Sequence, residues 1–343
     1  MSDRSHETFH DLLIAPGAEV GLPERFFDRF VVNLHPVDAT GPSVLIGHGL
    51  HPVRGTADGF AVTVTPEEQR NLRWAAELGT TGRDSCGPFR FAVEEPNRVW
   101  RLALDDNPAD VTFDLVWTAR TPAWWGDIDV ANAVGGTTSF SHLFQSGRCS
   151  GSLRIAGERY EVDGWYSQRD RSRGVRTMSG GQGLHLWFQA QFPDGSIGFL
   201  TVESRDGARL LLEGAAMGTD GTLDGITDVR HDLTFDDLDL RSGTVVVETV
   251  SGRQHEISAD ATAGGGFMAG AGYGGHHGTH RGPERVEHDI YPLDGSVSQR
   301  TLDSPLTDRL TRFDRDGTPG TGVFEFALSR SSSYSYRPTL RRR

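Results

Sequence analysis

Asp170 stands in the run Trp165–Arg176, WYSQRDRSRGVR, with four arginines, Arg169, Arg171, Arg173 and Arg176, around it. If the run is a strand, side chains alternate between faces. Tyr166, Gln168, Asp170 and Ser172 then share one face, and Trp165, Ser167, Arg169, Arg171 and Arg173 the other. A carboxylate in an apolar hollow keeps its proton to higher pH, because burial disfavours the charged form, and can serve as a proton donor near neutrality. The same carboxylate among guanidinium groups stays ionised, as a base or as half of an ion pair. Both roles are open for Asp170 at this point. The arginine face needs solvent, acidic partners or an anion, since like charges on one face repel.

Histidines offer a second constellation. His276, His277, His280 and His288 cluster around a glycine-rich stretch, GGGFMAGAGYGGHHGTHRGPE. Zinc sites use defined spacing on ordered elements; HHGTH fixes no third ligand, so no metal is expected. His280 or His288 remains a candidate acid/base partner. Among the aromatics, Trp117, Trp124, Trp125, Trp165, Trp187 and Tyr273 belong to the core or rim by type, and any that line a cavity present faces able to hold a polyene or shelter a cation. No G-x-S-x-G elbow and no strand-to-helix dinucleotide fingerprint occurs, and no nucleotide cofactor is expected.

The elements that must hold these residues are strands. The 343-residue chain is 36% hydrophobic and 24% charged, a globular composition with room for two domains. Its net charge of −13 argues against nucleic acid as the main partner. All 34 basic residues are arginine, which removes lysine chemistry. Neither an apolar run long enough to span a membrane nor a secretory signal is read, so the expected location is cytoplasmic. Cys86 and Cys149 fit no metal or redox spacing. Leu72, Trp74, Ala76 and Leu78 fall at period two, as do Val111, Phe113, Leu115 and Trp117, the pattern of half-buried antiparallel strands. The breaker TPAWWGD and the stretch VGGTTSFS place a boundary near 125–140, giving domains 1–130 and 131–343. Beyond it, hairpins turn at Ala156–Gly157, PDG, RDG and Ser251–Gly252, as in a barrel or sandwich. Leu184, Leu186, Phe188, Ala190 and Phe192 oppose His185, Trp187, Gln189 and Gln191; the second face suits either a ligand-holding lumen or solvent. The glycine-rich stretch is a mobile loop or backbone held close to something, a late strand in GTPGTGVFEFAL should close a barrel, and the tail SSSYSYRPTLRRR is expected to fray.

The run HLFQSGRCSGSLRIAGERYEVDGWYSQRDRSRGVR resembles the signature of the hydroxyneurosporene synthase-like (carotenoid hydratase, AttH-like) proteins, G-x-x-Y-x-V-x-G followed by R-D-H-S-W-G-x-R. Gly157, Tyr160, Val162, Gly164, Arg169, Asp170, Ser172, Gly174 and Arg176 match it. GPFRFAVEEPNRVWRLAL, FDLVWTARTP and GTGVFEFAL resemble the same family. The resemblance implies an all-β fold of two tandem lipocalin-like antiparallel barrels, an activity that adds water to a polyene by protonating an alkene, and Asp170 as the acid. Arg171 and Arg173 stand where the family has His and Trp, removing an imidazole relay and an indole face from those positions.

The sequence therefore predicts a cofactor-independent enzyme acting on a hydrophobic isoprenoid or polyketide-like molecule by hydration, cyclisation or isomerisation. Asp170 is its acid, with Tyr166 and Gln168 orienting it and His280 as partner; Trp165, Trp187, Trp117 and Tyr273 shape the pocket, with Arg169 toward the substrate. A non-catalytic carrier using the same cavity is the alternative.

Overall fold

The computed structural model describes residues 21–82, 84–131, 137–176 and 182–340. The first half consists of β1 (Phe26–His35), β2 (Ser43–His51), β3 (Thr56–Val64), β4 (Glu68–Glu77), β5 (Ser85–Cys86), β6 (Phe89–Glu95), β7 (Val99–Leu104), β8 (Val111–Ala119), β9 (Trp124–Ala131), β10 (Thr137–Ile155) and β11 (Glu158–Val175). The second contains β12 (Gln182–Phe192), β13 (Gly195–Ser204), β14 (Arg209–Gly218), β15 (Leu223–Asp236), β16 (Asp239–Thr249), β17 (Gln254–Gly264), β18 (Glu284–Pro292), β19 (Thr307–Arg315) and β20 (Thr318–Leu328). The fold is all-β, and no described helix is long and apolar enough to cross a membrane.

Two curled sheets result. The first has twelve strands, running β18-β4-β3-β2-β1-β11-β10-β8-β7-β6-β5, with β9 paired to β10. It curls around one core in which Trp74 of β4 stacks on Phe89 of β6 at 5.0 Å between ring centroids, so side chains bring its two ends together. Gly147 makes room for this packing: a Cβ there would sit 2.4 Å from the Trp117 indole. The second sheet is a closed barrel, β12-β13-β14-β15-β16-β17-β19-β20, and the late strand β20 closes it against β12. Full closure leaves no unpaired edge.

The first sheet runs through β11 and takes back β18 from the second half, and the barrel begins at β12; the glycine- and tryptophan-rich segment at the expected 130/131 boundary enters β9 and pairs with the long strand β10. Two expectations, for the outer face of β12 and for the tail, need correction. On β12 the apolar face fills the barrel interior, and His185, Trp187, Gln189 and Gln191 face outward. That outer face is neither lumen nor solvent, since it is buried against the first sheet. The tail does not fray over its described part: the Tyr336 hydroxyl bonds His231 Nδ1 at 2.8 Å and accepts the Leu233 N–H at 2.8 Å, anchoring 329–340 to β15. The glycine-rich stretch is ordered backbone held close to β4, where a Cβ on Gly270 would lie 2.0 Å from Asn71 Oδ1.

A third apolar cluster lies in the seam between the sheets, where Phe140 and Phe144 of β10 pack with Trp187, Leu200, Leu211 and Met217. The Arg120 guanidinium crosses the same seam to donate to the carbonyls of Phe192 at 2.9 Å and Gly195 at 2.6 Å. The seam therefore has both apolar burial and charge-assisted bonds fixing its geometry.

Candidate active site

Asp170 enters the seam because β11 alternates as its sequence predicts. Tyr166, Gln168, Asp170 and Ser172 project toward the barrel, while Arg169 and Arg171 point into the interior of the first sheet. There Arg169 stacks on Trp100 and Trp117 at 4.7 and 5.2 Å and donates to Gln145 Oε1 at 2.6 Å. Burial, with Arg171 nearby, lowers its pKa to about 9. Arg171 pairs with Asp28 at 2.7 Å, both side chains fully buried. The flanking arginines are therefore not the partners of Asp170.

Its partners come from other strands. On β10 Phe140, His142 and Phe144 share the seam face, and His142 Nε2 lies 2.5 Å from Asp170 Oδ2. The other ring nitrogen, Nδ1, makes a short bond to Glu213 Oε1 of β14. Each carboxylate also accepts an indole N–H, Asp170 Oδ2 from Trp187 at 3.1 Å and Glu213 Oε2 from Trp124 at 3.1 Å. Gly126, opposite His142 on β9, leaves the space that Glu213 occupies; a Cβ there would lie 2.4 Å from Oε2. Burial alone would drive the proton off His142, but Asp170 and then Glu213 outweigh it and raise its pKa to about 9. Near neutral pH His142 is thus an imidazolium held between Asp170 and Glu213, with one proton available between His142 and Asp170.

This chain ends at a cavity of about 350 Å³ between the sheets, with Val31, Leu45, Leu200 and Trp187 on its apolar walls and Asp170, Ser172 and His142 along one side. Across it stands Glu325, bonded to His185 Nε2 at 3.0 Å and opposite Asp308 in register. Burial and the neighbouring Glu325 charge hold the Asp308 carboxyl well above the usual carboxylate range, so that pair retains a proton. The buried amides of Asn33, Gln168 and Gln189 have no hydrogen-bond partner among the described residues, and Asn33 and Gln168 are paired in register between β1 and β11.

Of the sequence candidates, Asp170, Trp187 and Tyr273 line this cavity. Gln168 is one step away on the same face, and Tyr166 lies farther along, between Arg120 and Arg148 at 4.7 and 4.9 Å. Trp117, Trp165 and Arg169 belong to the interior of the first sheet, so they shape its core instead of the cavity. His280 is exposed and bonds Glu77 at 2.8 Å, outside the cavity; His276 and His277 pack near Trp74 and Asp58, and His288 lies on β18. His142 and Glu213 were missed. Their signals were a histidine between Phe140 and Phe144 at period two, and a single acid in the apolar run ARLLLEGAA.

Solved structures share this build. A provisionally named AttH protein of Nitrosomonas europaea aligns with a TM-score of 0.59 at 14% identity, over 92% of this chain and 98% of its own. CghA, in a crystal structure with Sch210972, aligns at 0.51 and 10% identity, over 94% and 95%. Kievitone hydratase of Nectria haematococca covers 94% and 95% at 14% identity, with a TM-score of 0.48. The first two confirm the double lipocalin-like architecture that the sequence resemblance implied. No curated protein sequence matches the chain. The family model described as a domain of unknown function, DUF7064, matches residues 38–289, and the chain belongs to that family.

Proposed function

We propose that the protein is an enzyme that hydrates, cyclises or isomerises a hydrophobic small molecule by proton transfer at Asp170. The observation that carries this reading is the Glu213, His142 and Asp170 chain ending on the wall of an apolar cavity. Asp170 delivers a proton to an electron-rich carbon of the substrate, and His142 resupplies it while Glu213 holds the imidazole in place. Trp187 fixes the carboxylate through its N–H and presents its ring to the cation that protonation creates. In a hydration, water held by Glu325 and His185 forms the new C–O bond, and its surplus proton returns to the Asp170 and His142 pair. In a cyclisation or isomerisation that pair takes back a proton from carbon instead. His142 supplies an imidazole to Asp170 from β10, whereas position 171, where the signature has His, faces the interior of the first sheet.

The test incubates purified protein with candidate polyenes and polyketide-like olefins and compares the parent with Asp170→Asn and His142→Gln. The reading expects both variants to bind a turned-over compound as the parent does, with product formation slowed about a hundredfold or more in the first and less severely in the second. Binding without turnover by the parent itself, across compounds that fill the cavity, would establish a carrier in its place.

A further inference from the structure

Next to the Asp170 cavity lies a second one of about 340 Å³, and Arg29, Arg176 and Tyr273 line both. The second cavity adds Arg25 and Arg54, so four guanidinium groups face it and none of its described lining residues is a carboxylate. In a chain of net charge −13 this concentration of positive charge is local. Two of the four are held by their flat faces. Arg29 stacks on Tyr273 at 5.3 Å and on Phe27 at 5.7 Å, and Arg176 on Phe140 at 4.7 Å. Stacking of this kind positions a guanidinium while leaving its N–H edge available. Neither group forms an ion pair with a carboxylate among the described residues, and Arg176 Nε is buried without a hydrogen-bond partner there. The buried acid Asp58 is already engaged by the Gly278 N–H at 2.6 Å, His277 at 3.1 Å and His51 at 3.1 Å, and Asp170 and Glu325 share only the first cavity with Arg29 and Arg176. Arg54 donates to the Gly278 carbonyl at 3.0 Å and forms an ion pair with the exposed Glu24 at 3.5 Å.

We propose that the two cavities form one channel in which Arg29 and Arg176, with Arg54 and Arg25 at the rim, bind a carboxylate or phosphate carried by the substrate. The apolar part of that substrate then lies against Trp187 beside Asp170. This inference rests on the reading of the first cavity as a substrate site, and it narrows the substrate to an amphiphile with an anionic end. Paired guanidinium groups suit such an end because their N–H forks match the oxygens of carboxylate and phosphate.

Calorimetric titration with dodecanoate, dodecyl phosphate and dodecanol, each below its micelle concentration, tests the channel. The parent is expected to bind at least one anion about tenfold or more tighter than the alcohol, and the preferred anion identifies the head group. Arg29→Gln/Arg176→Gln should erase that preference while leaving dodecanol affinity unchanged. Should that variant fail to fold, Arg25→Gln/Arg54→Gln at the rim should reduce the preference, and added salt should weaken anion binding by the parent but not alcohol binding. Equal, salt-independent affinity for all three overturns the anion site and leaves the Asp170 cavity standing. Failure of all three to bind removes both.

Discussion

The two faces of β11 both bury charge, of opposite sign, and put it to different ends. Inward, Arg169 and Arg171 are sealed among Trp100, Trp117, Gln145 and Asp28, with side chains packed on every side. Outward, Asp170 is equally well bonded, to His142 and Trp187, yet it also borders open space. A buried charge is therefore no guide to chemistry. On the inner face the ions are structural, since breaking one buried pair leaves a charge uncompensated. On the outer face a mobile proton, a cavity and an apolar wall coincide, and that combination supports catalysis.

Substitutions can break this comparison in order of expected effect. Asp170→Asn should lower turnover by about a hundredfold to ten-thousandfold in protein that circular dichroism shows to be folded. Arg171→Met should do the reverse, costing about 3–5 kcal/mol of stability in urea unfolding, because Asp28 would be left charged and buried. The double variant Asp28→Leu/Arg171→Met should recover most of that loss, as a purely structural pair requires.

The third prediction concerns pH. The His142 pKa rises from 6.5 to about 9 on folding, so its protonated form stabilises the fold fully below 6.5. That contribution is lost as pH rises through about 9. Melting curves between those limits should fall more steeply for the parent than for His142→Gln. The smallest effect belongs to a site remote from both faces. Tyr336→Phe removes the hydroxyl bonds to His231 and Leu233 and should cost about 1 kcal/mol without touching turnover.

Much of this architecture was legible in the chain. Period-two alternation identified β4 despite its helix-favouring composition, because Leu72, Trp74 and Ala76 must share the core face. The same rule assigned both faces of β11. It could not say what covers an outward face: Trp187 and Gln189 read alike against a lumen, solvent or a neighbouring sheet, and only the seam decides. The imidazole relay stayed hidden for a related reason. His142 and Glu213 lie 28 and 71 residues from their partners, so no local spacing joins them. The expected boundary fell at this segment because tryptophan and glycine break a pattern in sequence, while in the structure β9 forms a ladder with β10.

The central claim is that Asp170 hands a proton to a substrate carbon inside the seam. For a compound the protein converts, the reaction run in D2O and followed by mass spectrometry tests that transfer at the atom concerned. The account predicts one solvent deuteron bound to carbon in the product of the parent and formation of that product about a hundredfold or more slower by Asp170→Asn. Product free of carbon-bound deuterium, or formed as fast by the variant, would contradict it.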